Sequence, residues 1–240
     1  MKSKLLLLTA ALGLVATSGW AQLTTGDLSI IGFNSENPDQ ITFVLWEDIT
    51  SGTQIYFGDN GFDNSNQLYD NEGDGVWEAT SNLSAGTVIQ LDPASDSASV
   101  GTFDSTSLSL ATTGDQIFAG TTDLDTAGSY AGTLLHGINS NGSDWQSSGG
   151  QDTNESYLPS ALNVTHGNIH ISAENAQYTG SRSFTSLGDA KNAVHNTSNW
   201  TTSTSPLSLD TTVFTIPESS SIVLITIVGL AALGVLRNRK

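Results

Sequence analysis

Gln40-Ile41-Thr42-Phe43-Val44-Leu45-Trp46 decides the fold. The run is β-branched or aromatic at almost every position, and Ile41, Phe43 and Leu45 alternate with Thr42 and Val44. Alternation of period two puts successive side chains on opposite faces of a strand, whereas a helix would space its apolar residues three and four apart. The same signature recurs on both sides, in 28–33, 53–57, 75–79, 87–91, 115–119 and 132–135, with Gly, Asn and Asp between the runs. Strands 10 to 15 residues apart with turn residues between them predict an all-β body, a single β-sandwich of immunoglobulin-like kind, and not alternating β and α units.

Two starts share one device. Ser51-Gly52-Thr53 and Ala85-Gly86-Thr87 each lead into a strand, and Gly is the residue that turns at positive φ before a β-branched residue opens the strand. Gly120 and Gly132, each also followed by Thr, read as looser echoes. Residues 139–160 are rich in Asn, Ser and Gly and read as a long loop. One helix is expected, beginning at Ser186-Leu187-Gly188-Asp189 with Ser186 as its cap, sharing Leu187, Ala190 and Val194 on one face, and ending by Asn196. The body is expected over 22–200, with 201–216 as a last strand (Thr212 to Ile216) or a Ser/Thr-rich stalk.

Charge narrows the function classes. The chain of 240 residues has 24 Asp and Glu against 7 Lys and Arg, a formal charge of −17. Five of the bases sit at the extreme ends: Lys2, Lys4, Arg237, Arg239 and Lys240. Residues 22–216 hold only Arg182 and Lys191 against 23 acids (all but Glu218), a body at −21. Such a body repels phosphate, which excludes nucleic acid and anionic membrane surfaces as partners. With no Cys there is no disulfide, thiolate nucleophile or Cys-based zinc site.

The ends read as targeting segments. Lys2 and Lys4, the apolar stretch Leu5 to Val15, and Gly19-Trp20-Ala21 give residues 1–21 the pattern of a signal peptide helix cleaved before Gln22. At the other end, residues 222–236 form an apolar run followed at once by Arg237-Asn238-Arg239-Lys240. Fifteen helical residues span roughly 22 Å against a hydrocarbon core of about 30 Å, a short transmembrane helix whose basic tail stays cytoplasmic and leaves the acidic body outside.

Pro217-Glu218-Ser219, the apolar run and the basic tail together resemble the PEP-CTERM sorting signal over 217–240. The resemblance implies recognition through Pro217 and Glu218 by exosortase, a membrane protease-transpeptidase, with membrane anchoring before processing and cell-surface or extracellular location after it. Ser219 departs from the usual motif, in which a second Pro is commonest. Phe43 to Asp48, the Gly-Thr strand starts, Phe57-Gly58-Asp59-Asn60-Gly61, Asn175 to Gly180 and the late helix also resemble a lamin-tail-like β-sandwich module of secreted bacterial proteins. That module brings no chemistry to carry over.

Within the body, Asp70-Asn71-Glu72-Gly73-Asp74-Gly75-Val76-Trp77-Glu78 has carboxylates at positions 1, 3, 5 and 9 and Gly at 6, the first part of a calcium loop. Asp70, Glu72, Asp74 and Glu78 are its candidate ligands, with Asp59 to Asn64 as a further oxygen source; position 12, where a bidentate Glu belongs, is Ser81. The bland alternative is a solvated acidic hairpin loop. His166 and His170 are spaced for a metal but lack a third ligand, and Gly167-Asn168 between them reads as a turn. Trp145, in a Ser- and Gly-rich loop, is the candidate for stacking on a sugar ring. No nucleophile elbow or phosphate loop is present. These observations point to a non-catalytic exported envelope or matrix protein, structural or adhesive beside surface polysaccharide. The alternatives are a calcium-dependent carbohydrate-binding module and, more remotely, a secreted hydrolase acting on polysaccharide.

Overall fold

A computed structural model describes residues 22–148 and 154–217. The expectations for the signal helix, for Glu218 and for the apolar run 222–236 lie outside those residues. Among the described residues no helix is long and apolar enough to cross a membrane.

The body is all-β. Its strands are β1 (Leu28–Asn34), β2 (Gln40–Leu45), β3 (Gln54–Gly58), β4 (Gln67–Leu68), β5 (Asp74–Glu78), β6 (Val88–Asp92), β7 (Ser97–Ala98), β8 (Thr102–Thr106), β9 (Gln116–Gly120), β10 (Gly128–Ser129), β11 (Leu134–Asn139), β12 (Asn168–His170), β13 (Asn175–Tyr178) and β14 (Trp200–Ser203). They form one sheet in the order β14-β13-β1-β2-β6-β7, a second in the order β12-β11-β9-β3-β5-β8, and a ribbon of β4 with β10. Neighbours are antiparallel except β11 and β12.

Phe43 joins the two sheets. Its ring centroid lies 4.8 Å from that of Phe57 and 5.4 Å from that of Trp77, the latter edge-on. Around these rings Leu28, Ile30, Phe33, Ile41 and Leu45 of the first sheet meet Ile55, Ile117, Leu135 and Ile138 of the second. Each such side chain, fully buried, contributes on the order of 2 kcal/mol of transfer free energy. Ile30 pairs with Phe43 and Gly32 with Thr42, so Ile31 is an extra residue on β1. This bulge switches the phase of the alternation. It sends Ile31 to the outer face and returns Phe33 to the core.

The outer faces are covered as well. Over the first sheet, Ile31, Val44, Trp46, Val88 and Tyr178 pack beneath α1 (Leu187–Val194) and Phe214. The helix starts as its sequence predicts: Ser186 Oγ accepts the Asp189 N–H at 3.1 Å and donates to Asp189 Oδ2 at 2.8 Å. Over the second sheet, Phe62, Leu68, Phe118, Leu124, Leu134 and Leu162 form a separate apolar cluster with Tyr130 and Trp145 on it.

Residues 204–217 are a strap, neither a free stalk nor a regular strand over Thr212 to Ile216. Asn34 and Leu207 exchange two hydrogen bonds of 2.9 Å. Arg182 donates from Nη1 to the Thr212 carbonyl (2.7 Å) and from Nη2 to the Asp210 carbonyl (3.1 Å), with its Nε 3.2 Å from the Asp210 carboxylate. The same guanidinium lies 4.9 Å from the Phe214 ring centroid. The Phe214 N–H donates to the Gly86 carbonyl at 2.8 Å, and Phe184 and Thr215 are bonded through Phe184 N–H at 2.9 Å. The boundary expected at residue 200 falls inside the β14 ladder with β13.

Gly52 and Gly86 confirm the turn reading. Each is the third residue of a turn closed by a 3.1 Å backbone bond, Thr53 N–H to Thr50 and Thr87 N–H to Ser84, and they have φ of +85° and +89°. Gly120 and Gly132 do not share the device. Their missing side chains make room for the Tyr130 hydroxyl. Gly52 opens onto empty space, whereas a Cβ on Gly86 would run into the Phe214 carbonyl. Gly52→Ala should therefore cost only the left-handed backbone penalty of about 1–2 kcal/mol. Gly86→Ala should cost visibly more in thermal unfolding and should expose 204–217 to limited proteolysis; equal costs and an equally protected strap would contradict the contact.

Candidate functional site

The second sheet gathers carboxylates at one end. Asp59 follows β3, Glu72 precedes β5 and Asp115 precedes β9, and β3 lies between β5 and β9, antiparallel to both. One side-chain oxygen from each of Asp59, Glu72 and Asp115 lies within 4.8 Å of the other two. Asp59 and Asp115 are buried.

Backbone donors hold the two buried carboxylates. Asp59 Oδ1 accepts the Gly73 N–H at 2.9 Å and Oδ2 the Ser109 N–H at 3.1 Å. Asp115 Oδ1 accepts the Gln116 N–H at 2.8 Å and Oδ2 the Ala111 N–H at 2.7 Å. The Gln116 amide donates to the Asp59 carbonyl and to Glu72 Oε2. Asn60 positions Glu72 from the other side, its Oδ1 accepting the N–H groups of Asn71 (3.0 Å) and Glu72 (2.9 Å). Burial pushes the Asp59 carboxyl up to about 6, with the charge of Asp125 adding to it and the backbone donors opposing it. Burial also pushes the Asp115 carboxyl well above the ordinary carboxylate range, with the charges of Asp59 and Asp39 adding to it and the N–H groups of Ala111 and Gln116 opposing it. Three carboxylates this close are stabilised either by taking up a proton or by holding a cation. An all-oxygen donor set suits a hard divalent ion such as Ca²⁺, with backbone carbonyls and water completing the shell.

The four sequence-derived calcium ligands go to different places. Glu72 joins the cluster just described. Asp74, on β5, accepts the Leu124 N–H at 3.1 Å, and burial with Asp123 and Asp125 nearby pushes its carboxyl up to about 6. Glu78 accepts from Gln54 Nε2 at 2.9 Å, and Asp70 is exposed on the loop. Nothing local in the sequence marks Asp115, because only the register of β9 against β3 brings it to Asp59. Trp145 is half-buried: its indole N–H donates to Asn168 Oδ1 at 3.2 Å and its ring lies 5.7 Å from Phe118. Pro217 is exposed where the strap ends.

The histidines also regroup. His170 lies on β12 with Nε2 2.8 Å from the Asn141 carbonyl, while His166 sits in a turn at φ +65°. His166 instead approaches His195, their centroids 4.9 Å apart, and His195 meets the buried His136 through Nε2 atoms 3.1 Å apart. His195 Nδ1 lies 2.8 Å from the Lys191 carbonyl, and the Ile30 N–H donates to His136 Nδ1 at 3.4 Å. These partners fix both tautomers: His195 donates from Nδ1, and His136 donates from Nε2 to His195. The pair is thereby a neutral latch between α1, β11 and β1, with its nitrogens already committed.

Compared with protein-family models, curated proteins and solved structures, the chain matches none.

Burial lowers His195 to about 4 from 6.5 and lowers His136 strongly. Below pH 6.5 the unfolded chain takes up protons that the folded pair refuses, so this contribution to stability is lost as pH falls from about 6.5 toward 4. The raised Asp59 and Asp74 act in the opposite direction, so the His195 contribution is read as a difference. Relative to wild type, His195→Gln should lose less stability between pH 7 and pH 4, by at most about 3 kcal/mol. Parallel urea-unfolding curves for the two proteins at both pH values would refute the neutral pair.

Proposed function

We propose that this is a non-catalytic exported protein of a bacterial envelope or matrix, with a structural or adhesive role beside surface polysaccharide. The observation that carries the reading is the order of three pieces. These are the basic-apolar segment 1–21, the acidic β body, and the Pro217-Glu218 motif followed by the apolar run and Arg237 to Lys240. Exosortase is the processing partner this order implies, and the membrane is its station before processing. Two six-stranded sheets joined through Phe43 support a β-sandwich, of the lamin-tail-like kind suggested by Phe57 to Gly61 and Asn175 to Gly180. Intact mass and cell fractionation in the host test the reading. Loss of 1–21 and of the tail beyond Pro217, with the product outside the cell membrane, is expected. An unprocessed chain in the cytoplasm would refute it.

A second reading, a calcium-dependent module, is favoured by the convergence of Asp59, Glu72 and Asp115. Bound Ca²⁺ at ten times its Kd would stabilise the body by about 1.4 kcal/mol. That corresponds to a rise in Tm of roughly 3–5 °C for a domain of this size. Asp59→Asn with Asp115→Asn should abolish the rise, and Asp70→Asn should leave it. No rise in wild type at millimolar Ca²⁺ would remove this reading without touching the first.

A further inference from the structure

A cleft of about 480 Å³ opens beside the β4–β10 ribbon, between the start of β11 and residues 159–161. That volume is in the range of small-molecule sites. Among the described residues no Asp, Glu, Lys, Arg or His lines it, in a body with 23 acids. The lining instead combines amides (Asn66, Gln67), hydroxyls (Ser129, Thr133, Ser160 among them) and the aromatic rings of Phe62 and Tyr130.

The walls are held in place by hydrogen bonds to one another and, at Tyr130, from outside the cleft. The Tyr130 hydroxyl donates to the Thr122 carbonyl at 3.1 Å and accepts the Thr122 N–H at 3.0 Å. Its tip occupies the space that side chains at 120 and 132 would fill, and its ring meets Phe62 edge-on at 6.4 Å. The ring is therefore clamped at its far end. Asn66, at φ +59°, accepts the Ser160 N–H on Oδ1 at 2.6 Å and so ties two walls together. This leaves the Asn66 amide hydrogens uncommitted among the described residues. Gln67 Oε1 accepts the Ser129 hydroxyl at 3.2 Å, and Thr25 Oγ1 donates to the Leu134 carbonyl at 2.7 Å.

We propose that this cleft binds an uncharged glycan. A sugar ring presents hydroxyls that both donate and accept, and a C–H face that lies against an aromatic ring. Amides and hydroxyls satisfy the first, and a fixed Tyr ring serves the second. A charged ligand would find no counter-charge here, and phosphate or uronate would meet the repulsion of the whole body. A lipid chain would leave the lining amides without partners. Walls already tied by hydrogen bonds spare the ligand the cost of ordering them. The inference deepens the polysaccharide-associated reading above and rests on it for its biological setting; the chemistry of the cleft is independent of the acidic cluster.

Affinity electrophoresis of the full chain tests it, in a detergent without a sugar headgroup. The gels contain dextran, galactomannan or yeast mannan as neutral probes and alginate as the anionic one. At least one neutral polysaccharide should retard the wild type and alginate should not. Tyr130→Ala should weaken the retardation at least tenfold. Asn66→Asp keeps the acceptor for Ser160 N–H while replacing the amide hydrogens with a charge, and should weaken it comparably at an unchanged Tm. Retardation by none of the three neutral probes, or retardation equal in wild type and Asn66→Asp, overturns the proposal. Co-fractionation of the Asn66→Asp protein with the matrix in the host separates the two ideas: if it persists without glycan retardation, the cleft fails and the broader reading stands.

Discussion

The constraint on which the structure depends is that β1 and β2 are covered on both faces. All seven residues of β1 and five of the six in β2 are buried. One face meets Phe57 and Trp77 across the core, and the other meets α1 and Phe214. A strand buried on both sides has no place for a charge. Most polar groups that remain are paired: the Trp46 indole donates to Ser29 Oγ at 2.9 Å, and Asn34 is bound by Leu207, while the buried Thr42 hydroxyl has no partner among the described residues. The body, with its 23 acids, therefore keeps its carboxylates off β1 and β2, at other strand ends, in loops and on the exposed side of the edge strand β8. Asp59, Glu72 and Asp115 meet because three neighbouring strands turn at the same end.

The outer layer explains the two cations. Arg182 is spent on the strap, bonding the Asp210 and Thr212 carbonyls and lying on Phe214, while Lys191 lies on α1 near Asp27 and Glu47. Neither is spread over the acidic surface, and Arg182 is only 11% exposed. A lone exposed ion pair contributes little, but a guanidinium with two carbonyl bonds, a carboxylate and a ring partner fixes a segment in one place. A Ser/Thr-rich stretch with no regular ladder is ordered in this way by side chains belonging to the body.

The sequence announced those elements whose side chains alternate in hydrophobicity. β2, β3, β5, β6 and β9 lie where the period-two runs are, and the Ser186 cap and the Gly52 and Gly86 turns follow from local chemistry alone. β8 and β14 escaped because edge strands need pack only one face: Phe103 is the one buried residue of Thr102–Thr106, and none of Trp200–Ser203 is fully buried. The bulge at Ile31 was hidden for another reason. Leu28 and Ile30 keep one phase of the alternation and Ile31 and Phe33 the other, and only the pairing with Thr42 and Phe43 shows that a single extra residue makes the change. Sites were less legible than strands. Asp70, Glu72, Asp74 and Glu78 are neighbours in sequence, but a strand sends Asp74 and Glu78 about 13 Å apart, and turns aim Glu72 elsewhere. The residues that do meet come from three strand ends separated by 13 and 43 positions.

Gly120 and Gly132 show how the same residue type can carry different information. At 52 and 86 glycine is required by φ, a property of the turn itself. At 120 it is required by Tyr130, whose hydroxyl needs the volume a methyl would take, and at 132 by the hydroxyls of Thr122 and Tyr130 together. A Gly-Thr pair cannot distinguish these cases before the partner is known. The distinction matters for function, because the second pair seats Tyr130 in a wall of the neutral cleft, while the first reverses the chain and, at Gly86, lets the strap approach. In a molecule whose surface is dominated by one sign of charge, a cavity with no carboxylate among its described lining residues, walled by a ring fixed at its tip, is where an uncharged ligand meets least competition from solvated ions.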